Sequence, residues 1–258
     1  MTQMSLDEVQ QKTQRTQQSA TLFEGRLICN QFNPGYRFSI DSVLLAHFTM
    51  IRKNDKILDL GTGCGVIGLI LCYRYGEKNI FVTGIENQPE LAELAQENIQ
   101  SNGYDSRFKI IISDIRTYRD KLKSEVFSQV ISNPPFFAKG SGRTSADLEA
   151  RMARHQDGSG PDLFIQAAAY SVKNRGKVSL IYPSDQVSEL IICLQKSHLV
   201  VKKLQFIHSY PEQTSGAKLV LVEACKNGGL GTNVLPPLFV YQYKNGPYSD
   251  ALQAMFRP

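Results

Sequence analysis

The chain has 258 residues, enough to bury the core of one large α/β domain. Hydrophobic residues make up 42% and charged residues 21%, and no apolar run approaches the roughly 18 residues that cross a bilayer, so we expect no membrane span. The net charge of +5 is compatible with a nucleic-acid substrate.

The first 23 residues are rich in glutamine and contain neither an apolar face nor an apolar signal core. Such a segment buries too little apolar surface to fold, so we expect a poorly ordered polar tail over residues 1–23. The lack of a secretion signal favours a cytoplasmic location. The five cysteines agree with this location, because they are scattered, odd in number and without a C-x-x-C pair, which predicts neither disulfides nor a metal site.

A short strand and an apolar helix are predicted next. Arg26–Phe32 is typical of a strand, and Asn33-Pro-Gly35 breaks it. An apolar helix is expected over residues 42–50, with Ser39 or Asp41 as its N-cap. For Asp41, contact with a ligand is an equally open alternative to capping alone.

From residue 56 onward, strand and helix patterns alternate. Strands are predicted at 56–60, 79–85, 108–112, 126–132, 176–182, 200–208 and 218–224. Helices are predicted at 64–75, 90–102, 162–172 and 188–196. This alternation predicts an α/β fold with a doubly wound, seven-stranded, mostly parallel sheet and an antiparallel edge strand. Residues 24–258 then form a single domain with a small C-terminal appendage from about residue 235.

Residues 137–160 interrupt this alternation with a polar segment. It contains four glycines and several basic side chains, among them Lys139, Arg143, Arg154 and His155. A long segment of this kind beside a candidate active site is often a lid or binding loop, and a plain surface loop is the alternative.

The glycine-rich stretch Asp59-Leu-Gly-Thr-Gly-Cys-Gly65 follows the first core strand. Closely spaced glycines let a ligand approach the backbone of a strand–turn–helix unit. Gly63–Gly68 also fits the G-x-G-x-x-G pattern of dinucleotide-binding proteins. However, the Asp59 carboxylate would repel a pyrophosphate on this turn, and it suits a cationic ligand that bears an amino acid, such as S-adenosylmethionine (AdoMet).

Acidic residues also end the next two strands. Glu86 is placed to accept hydrogen bonds from ribose hydroxyls, and Asp114 to accept one from an adenine amino group, with Ile115 packing on the ring. Each acid alone has a second interpretation as a turn or capping residue. Three acids at successive strand ends are a stronger signal, because ligands of open α/β sheets bind at that edge.

Asn133-Pro-Pro-Phe136 follows the fourth strand and indicates the chemistry. The Asn133 amide oxygen and the Pro134 carbonyl oxygen can each accept an N–H from the exocyclic amine of a base, which frees the nitrogen lone pair for attack. The prolines hold the backbone rigid, and Phe136 offers a face for a flipped-out base. Catalysis would then consist mainly of aligning nitrogen, methyl carbon and sulfur. The alternative is a simple Asn-Pro turn.

With these motifs the chain resembles class I AdoMet-dependent methyltransferases that carry an N-P-P-[YF] motif. Within that group it is most similar to bacterial tRNA adenine-N6 methyltransferases that act beside the anticodon of valine tRNA. Beyond the shared motifs, the likeness rests on Tyr36–Ala46, Ala153–His155, Pro236–Tyr241 and Gly246–Tyr248. It runs from about Phe23 to the C-terminus.

The resemblance implies an enzyme with AdoMet as its cofactor, no metal, tRNA as its partner and no obligate protein partner. The implied catalytic residues are Asn133, Pro134 and Phe136. The candidate AdoMet contacts are Ser39, Asp41, Asp59, Gly61, Gly63, Gly65, Glu86, Asn87, Asp114, Ile115 and Asn133. The candidate substrate contacts are Phe136, Lys139, Arg143, Arg154 and His155.

Other functions stay open at this point. The same motif serves amine and amide methylation of protein glutamine, rRNA guanine or DNA adenine. A non-catalytic AdoMet-binding or tRNA-chaperoning protein is a further class, which the intact Asn133 and Phe136 disfavour. A dehydrogenase would rest on the G-x-G-x-x-G pattern alone.

Overall fold

The computed structural model of the protein describes residues 16–33, 40–134 and 161–257. The strands are β1 (Thr16–Leu22), β2 (Leu27–Asn33), β3 (Lys56–Leu60), β4 (Phe81–Glu86), β5 (Phe108–Ile112), β6 (Phe127–Ser132), β7 (Val172–Pro183), β8 (Leu199–His208), β9 (Leu219–Lys226), β10 (Asn233–Val234) and β11 (Leu238–Phe239). The helices are α1 (Ile40–Phe48), α2 (Val66–Arg74), α3 (Pro89–Ser101), α4 (Tyr118–Lys121), α5 (Pro161–Ser171), α6 (Val187–Lys196) and α7 (Asp250–Ala254).

The predicted doubly wound sheet is confirmed. Its seven long strands follow the order β5-β4-β3-β6-β7-β9-β8, and the short strands β10 and β11 both pair with β8. Neighbours from β5 to β7 are parallel, whereas β9 is antiparallel to both β7 and β8. The prediction that the antiparallel strand lies at the edge is therefore wrong. After β8 the chain reverses direction, and β9 lies between β8 and β7 and pairs with both strands.

Helices cover both faces of the sheet, which is why β3 is buried over four of its five residues. Successive residues of a strand point to opposite faces, and so Ile57 joins the core beneath α1, α2 and α3 while Leu58 joins the core beneath α4, α5 and α6. The loops at the carboxyl ends of the parallel strands therefore meet at one edge, between the two helical layers.

The N-terminal part of the described chain differs from the expected polar tail. Residues 16–22 form β1, which pairs with β2 as an antiparallel hairpin. Over residues 16–22 the prediction was wrong, because backbone hydrogen bonds to β2 hold β1 although only Leu22 of its side chains is buried; residues 1–15 lie outside the described residues. Asn98 of α3 and Asn102, which directly follows that helix, bond the backbone of β2 at Asn30 and Ile28, so that two side chains satisfy the outer edge of that strand.

Two further expectations concern cysteines and membranes. All five cysteines are free, and four of them are buried. Across residues 16–33, 40–134 and 161–257, no helix combines the length and the apolar character that crossing a membrane requires.

Candidate active site

The carboxyl ends of four adjacent strands bring the predicted residues together. Asp59 lies in β3 beside Gly84 of β4, and Leu60 pairs with both Ile85 and Ser132, the residues just before Glu86 and Asn133. Asp114 follows β5 at the same edge. The glycine turn, the strand-end acids and the start of the Asn-Pro-Pro-Phe motif therefore form one site.

The backbone of the glycine turn adopts a conformation that favours glycine. Gly61, Gly63 and Gly65 have φ values of 72°, 58° and 85°, a region that residues with a Cβ rarely adopt. The N–H groups of Gly61 and Thr62 both donate to the carbonyl of Ile85, at 2.9 Å each, and this anchors the turn to the end of β4. At the sheet edge the exposed Gly61 thus presents backbone without a side chain, which a ligand can approach closely.

Asp59 is fully buried beneath this turn. Its Oδ2 accepts a hydrogen bond of 2.7 Å from the Thr62 hydroxyl, while its Oδ1 has no hydrogen-bond partner within the described part of the chain. Burial raises the pKa of Asp59 to about 7; the Thr62 hydrogen bond opposes this shift and the nearby Glu86 adds to it. A buried carboxyl oxygen without a partner fits a ligand that brings a cation or an N–H donor to it.

Glu86 ties the end of β4 to the glycine turn. Its Oε2 accepts the N–H of Gly63 at 3.0 Å, and its Oε1 accepts the N–H groups of Asn87 and Gln88, also at 3.0 Å each. Only 5% of Glu86 is exposed. Of the roughly four acceptor sites of a carboxylate, one stays unused at Oε2, so the ribose hydroxyls could add a hydrogen bond to this network without breaking it.

Asp114 is more exposed than Asp59 and Glu86, and its carboxylate pairs with the Arg116 side chain. Its carboxylate accepts the Arg116 backbone N–H at 2.8 Å and hydrogen bonds from the Arg116 guanidinium at 2.5–3.1 Å. These contacts lower the pKa of Asp114, the side-chain hydrogen bond being the main cause. Ile115 packs partly buried against the core beneath α4, α5 and α6.

Asn133 begins the other half of the site. Its Nδ2 donates a long hydrogen bond of 3.4 Å to the hydroxyl of Ser42, a buried residue in the first turn of α1. Because this contact directs the amide nitrogen toward α1, the amide oxygen lies on the other side of the planar carboxamide. Just before it, Ser132 donates a hydrogen bond of 2.8 Å to the Leu60 carbonyl and fixes the end of β6.

Other predicted residues are placed less centrally or lie outside the description. Asp41 is half-buried in the first turn of α1, and Asn87 is exposed directly after Glu86. Pro134 is buried beside Asn133. Six predicted residues lie outside the described residues: Ser39, Phe136, Lys139, Arg143, Arg154 and His155.

Three contributing residues were absent from the sequence prediction. Thr62 and Arg116 are local partners, and their spacing of three and two residues from Asp59 and Asp114 was a usable signal. Ser42 lies 91 residues from Asn133, so no local pattern could reveal it. No group of three or more His, Cys, Asp or Glu residues suited to a metal occurs in the three described ranges.

A family model described as "Methyltransferase small domain" matches residues 39–160, which include the whole site described above. The match covers just under half of the chain. The match begins at α1 and continues past the Asn-Pro-Pro-Phe motif, so it covers both halves of the sheet edge.

Curated relatives of this chain include two proteins named tRNA1(Val) (adenine(37)-N6)-methyltransferase. The one from Tolumonas auensis is 30% identical over 58% of this chain and 61% of its own length. The one from Shewanella halifaxensis is 32% identical over 64% of this chain and 65% of its own length. In both cases the similarity spans less than two thirds of the relative.

Solved structures share the fold. A predicted O-methyltransferase from Agrobacterium tumefaciens matches with a TM-score of 0.67 at 24% identity, over 83% of this chain and 94% of its own. A SAM-dependent methyltransferase from Aquifex aeolicus matches with a TM-score of 0.51 at 16% identity, over 74% of this chain and 100% of its own. These matches show that the chain has the same doubly wound α/β fold as these two proteins.

Proposed function

We propose that this protein transfers a methyl group from AdoMet to the exocyclic N6 amine of an adenosine in tRNA. The observation that carries the proposal is the placement of the buried Asp59 and Glu86 and the half-buried Asn133 at the carboxyl ends of three adjacent strands. One half of this edge suits a cationic nucleoside and the other half suits an amine.

The cofactor half fits AdoMet in charge and in hydrogen bonding. The partnerless Oδ1 of Asp59 would accept from the cationic amino-acid end of the cofactor, and the open glycine turn would allow it close approach. Glu86 would accept from the ribose hydroxyls, and Asp114 would accept from the adenine amino group with Ile115 beside the ring. When bound, AdoMet supplies a methyl group on a positively charged sulfur.

The acceptor half prepares the amine. The Asn133 amide oxygen and the Pro134 carbonyl oxygen would each accept one N–H from the substrate nitrogen, while Ser42 holds the Asn133 amide nitrogen away from it. The lone pair freed by these two acceptors would take up the methyl group that AdoMet supplies, and the extra proton would pass from the nitrogen to water. Positioning therefore supplies most of the rate enhancement.

The choice of tRNA as substrate is supported by two observations. The relatives from Tolumonas auensis and Shewanella halifaxensis are named for adenine-N6 methylation of tRNA1(Val), and the net charge of +5 suits a polyanionic substrate. We infer that Phe136 stacks the flipped-out base and that Lys139, Arg143, Arg154 and His155 contact the RNA. A tRNA substrate implies a cytoplasmic protein.

The test is methyl transfer from labelled AdoMet to three acceptors offered separately. These are unmodified total tRNA, double-stranded DNA and a protein extract freed of nucleic acid. We expect label in tRNA alone. Label confined to protein would favour glutamine amide methylation, which the same Asn133–Pro134 pair could support, and would overturn the proposed substrate. Binding of AdoMet without transfer to any acceptor would contradict catalysis.

A further inference from the structure

The C-terminal appendage projects from the same sheet edge as the active site. Strands β10 and β11 run parallel to β8, and the ladder continues past the end of β8 with hydrogen bonds of 2.9 Å from the Val240 N–H to the His208 carbonyl and 2.8 Å from the Tyr241 N–H to the Ser209 carbonyl. The segment 240–249 therefore begins where the parallel strands end. In the strand order, β11 lies four neighbours from β6, or about 19 Å from the Asn133 strand at ~4.8 Å per strand.

This segment is a closed hairpin with fixed geometry. Tyr241 and Tyr248 form an antiparallel bridge. Around this bridge, the Gln242 N–H donates to the Pro247 carbonyl at 3.0 Å, and the Ser249 N–H donates to the Val240 carbonyl at 2.9 Å. The hairpin is thus held by its own backbone, and side chains at its tip are presented at low entropic cost.

Three tyrosines of the hairpin are exposed together. Tyr241, Tyr243 and Tyr248 have exposed fractions of 37%, 56% and 42%. Tyr248 lies between Tyr241, with ring centroids 5.5 Å apart, and Phe256, whose ring is 6.1 Å away and tilted by only 5°. We call Tyr241, Tyr243 and Tyr248 the tyrosine platform.

Gly246 supports the most exposed ring of the platform. A Cβ at position 246 would lie 2.8 Å from two carbons of the Tyr243 ring, so the glycine backbone packs directly against this side chain. A ring supported in this way needs little further ordering when a planar group stacks on its outer side.

The surroundings of the platform suit an RNA strand. Lys244 at the hairpin tip and Arg257 after α7 are exposed cations, while the acidic Asp250 already accepts a hydrogen bond from Gln242. A groove of about 740 Å³ lies between the base of the appendage and the end of β7, and His208 and Lys218 are among its lining residues.

We propose that the tyrosine platform stacks unpaired nucleotides of the RNA loop that carries the target adenosine. Flat aromatic faces bind single-stranded bases without regard to sequence, and nearby cations neutralise the phosphates. A loop of several nucleotides can reach from the platform to the amine-binding end of β6. The inference rests on the proposed function, because it assumes an RNA substrate at that site.

The experiment measures equilibrium binding of an RNA stem-loop, with one adenosine in its loop, to the full-length protein and to four variants. In Tyr243→Ala and Tyr243→Leu the ring is removed, and we expect Kd to rise about five- to a hundredfold. In Tyr243→Phe the ring is kept, so we expect the Kd of the wild type. Phe81→Ala is the matched control, because Phe81 is a 43% exposed aromatic residue at the opposite, amino end of β4, and it should not change Kd.

Melting temperatures and AdoMet affinity, measured on each variant, separate stacking from damage to the fold. Loss of RNA binding in the Ala and Leu variants, with both of these readouts unchanged, supports the platform. Wild-type RNA affinity in Tyr243→Ala, or equal losses in Phe81→Ala, overturns it. If the wild type methylates the stem-loop and Tyr243→Ala does so with unchanged KM, only the platform fails. If the wild type neither binds nor methylates any RNA, the proposed function fails with it.

Discussion

The two halves of the active-site edge differ in how they are built. At the cofactor half, Asp59 and Glu86 are buried and held by short hydrogen bonds to a hydroxyl and to three backbone N–H groups. At the acceptor half, the carboxamide of Asn133 is only half-buried and has a 3.4 Å contact to Ser42. The cofactor half is organised before any ligand binds, whereas few contacts hold the acceptor half in place.

This difference fits the two tasks. In the proposed reaction AdoMet is a constant ligand, so preformed hydrogen-bonding groups would save ordering entropy at each binding event. The amine must be held only while its nitrogen attacks, and interactions made chiefly in the transition state raise kcat rather than affinity. Substitutions in the two halves should therefore separate cofactor binding from methyl transfer.

The largest expected effect is that of Asn133→Ala. Because the variant lacks one of the two acceptors that hold the amine, kcat should fall about 100- to 1,000-fold. The Kd for AdoMet should change by less than about threefold, since the cofactor half is intact. Steady-state kinetics and calorimetry check both values, with Asn174→Ala, an exposed asparagine, as the control. A parallel loss of AdoMet binding would remove the distinction between the halves.

Glu86→Ala should show the opposite pattern. It deletes the acceptor proposed for the ribose hydroxyls and leaves three backbone N–H groups without their partner, so the Kd for AdoMet should rise about ten- to hundredfold. At saturating AdoMet, kcat should fall far less than in Asn133→Ala. Glu93→Ala, an exposed acid on α3, is the control in the same calorimetric titration. Unchanged affinity would show that Glu86 only holds the turn.

Asp59 should make AdoMet affinity depend on pH. Its folded pKa of about 7 lies above the usual value, so the carboxyl group favours folding of the free protein at acidic pH and this contribution is lost as pH rises through 7. A cationic ligand favours the ionised form, and AdoMet affinity should increase across the same interval. Calorimetry between about pH 5.5 and 8.5 should show this rise in the wild type and in Asp105→Asn, but not in Asp59→Asn. A rise that persists in Asp59→Asn would assign it to another group.

Replacing Ser42 should have the smallest effect on kcat, because Ser42 acts through Asn133. In Ser42→Ala the amide nitrogen of Asn133 loses its acceptor, and kcat should fall about fivefold with no change in the KM for AdoMet. Ser42→Thr keeps the hydroxyl and should restore kcat. Ser171→Ala, at a buried serine outside the site, is the matched control. If Ser42→Thr does not restore kcat, or if Ser171→Ala loses as much activity as Ser42→Ala, Ser42 contributes only to packing.

The sequence predicted one half of the site better than the other. Asp59, the glycine turn, Glu86 and Asp114 follow directly from strand periodicity and turn chemistry, because parallel strands place their carboxyl ends together. The contact between Ser42 and Asn133 joins residues 91 positions apart, and no local pattern encodes it. The sequence also did not predict the hairpin of β1 and β2 or the position of β9. Both depend on backbone pairing between strands rather than on the spacing of apolar residues.

The most direct test of the central claim is the chemical identity of the methylated nucleoside. Unmodified tRNA would be incubated with labelled AdoMet and the wild-type protein, digested to nucleosides and separated by chromatography with mass detection. The account predicts labelled N6-methyladenosine, which disappears with Asn133→Ala. Label on a ring nitrogen, on ribose or on guanine would contradict the role assigned to Asn133 and Pro134 in holding an adenine amine.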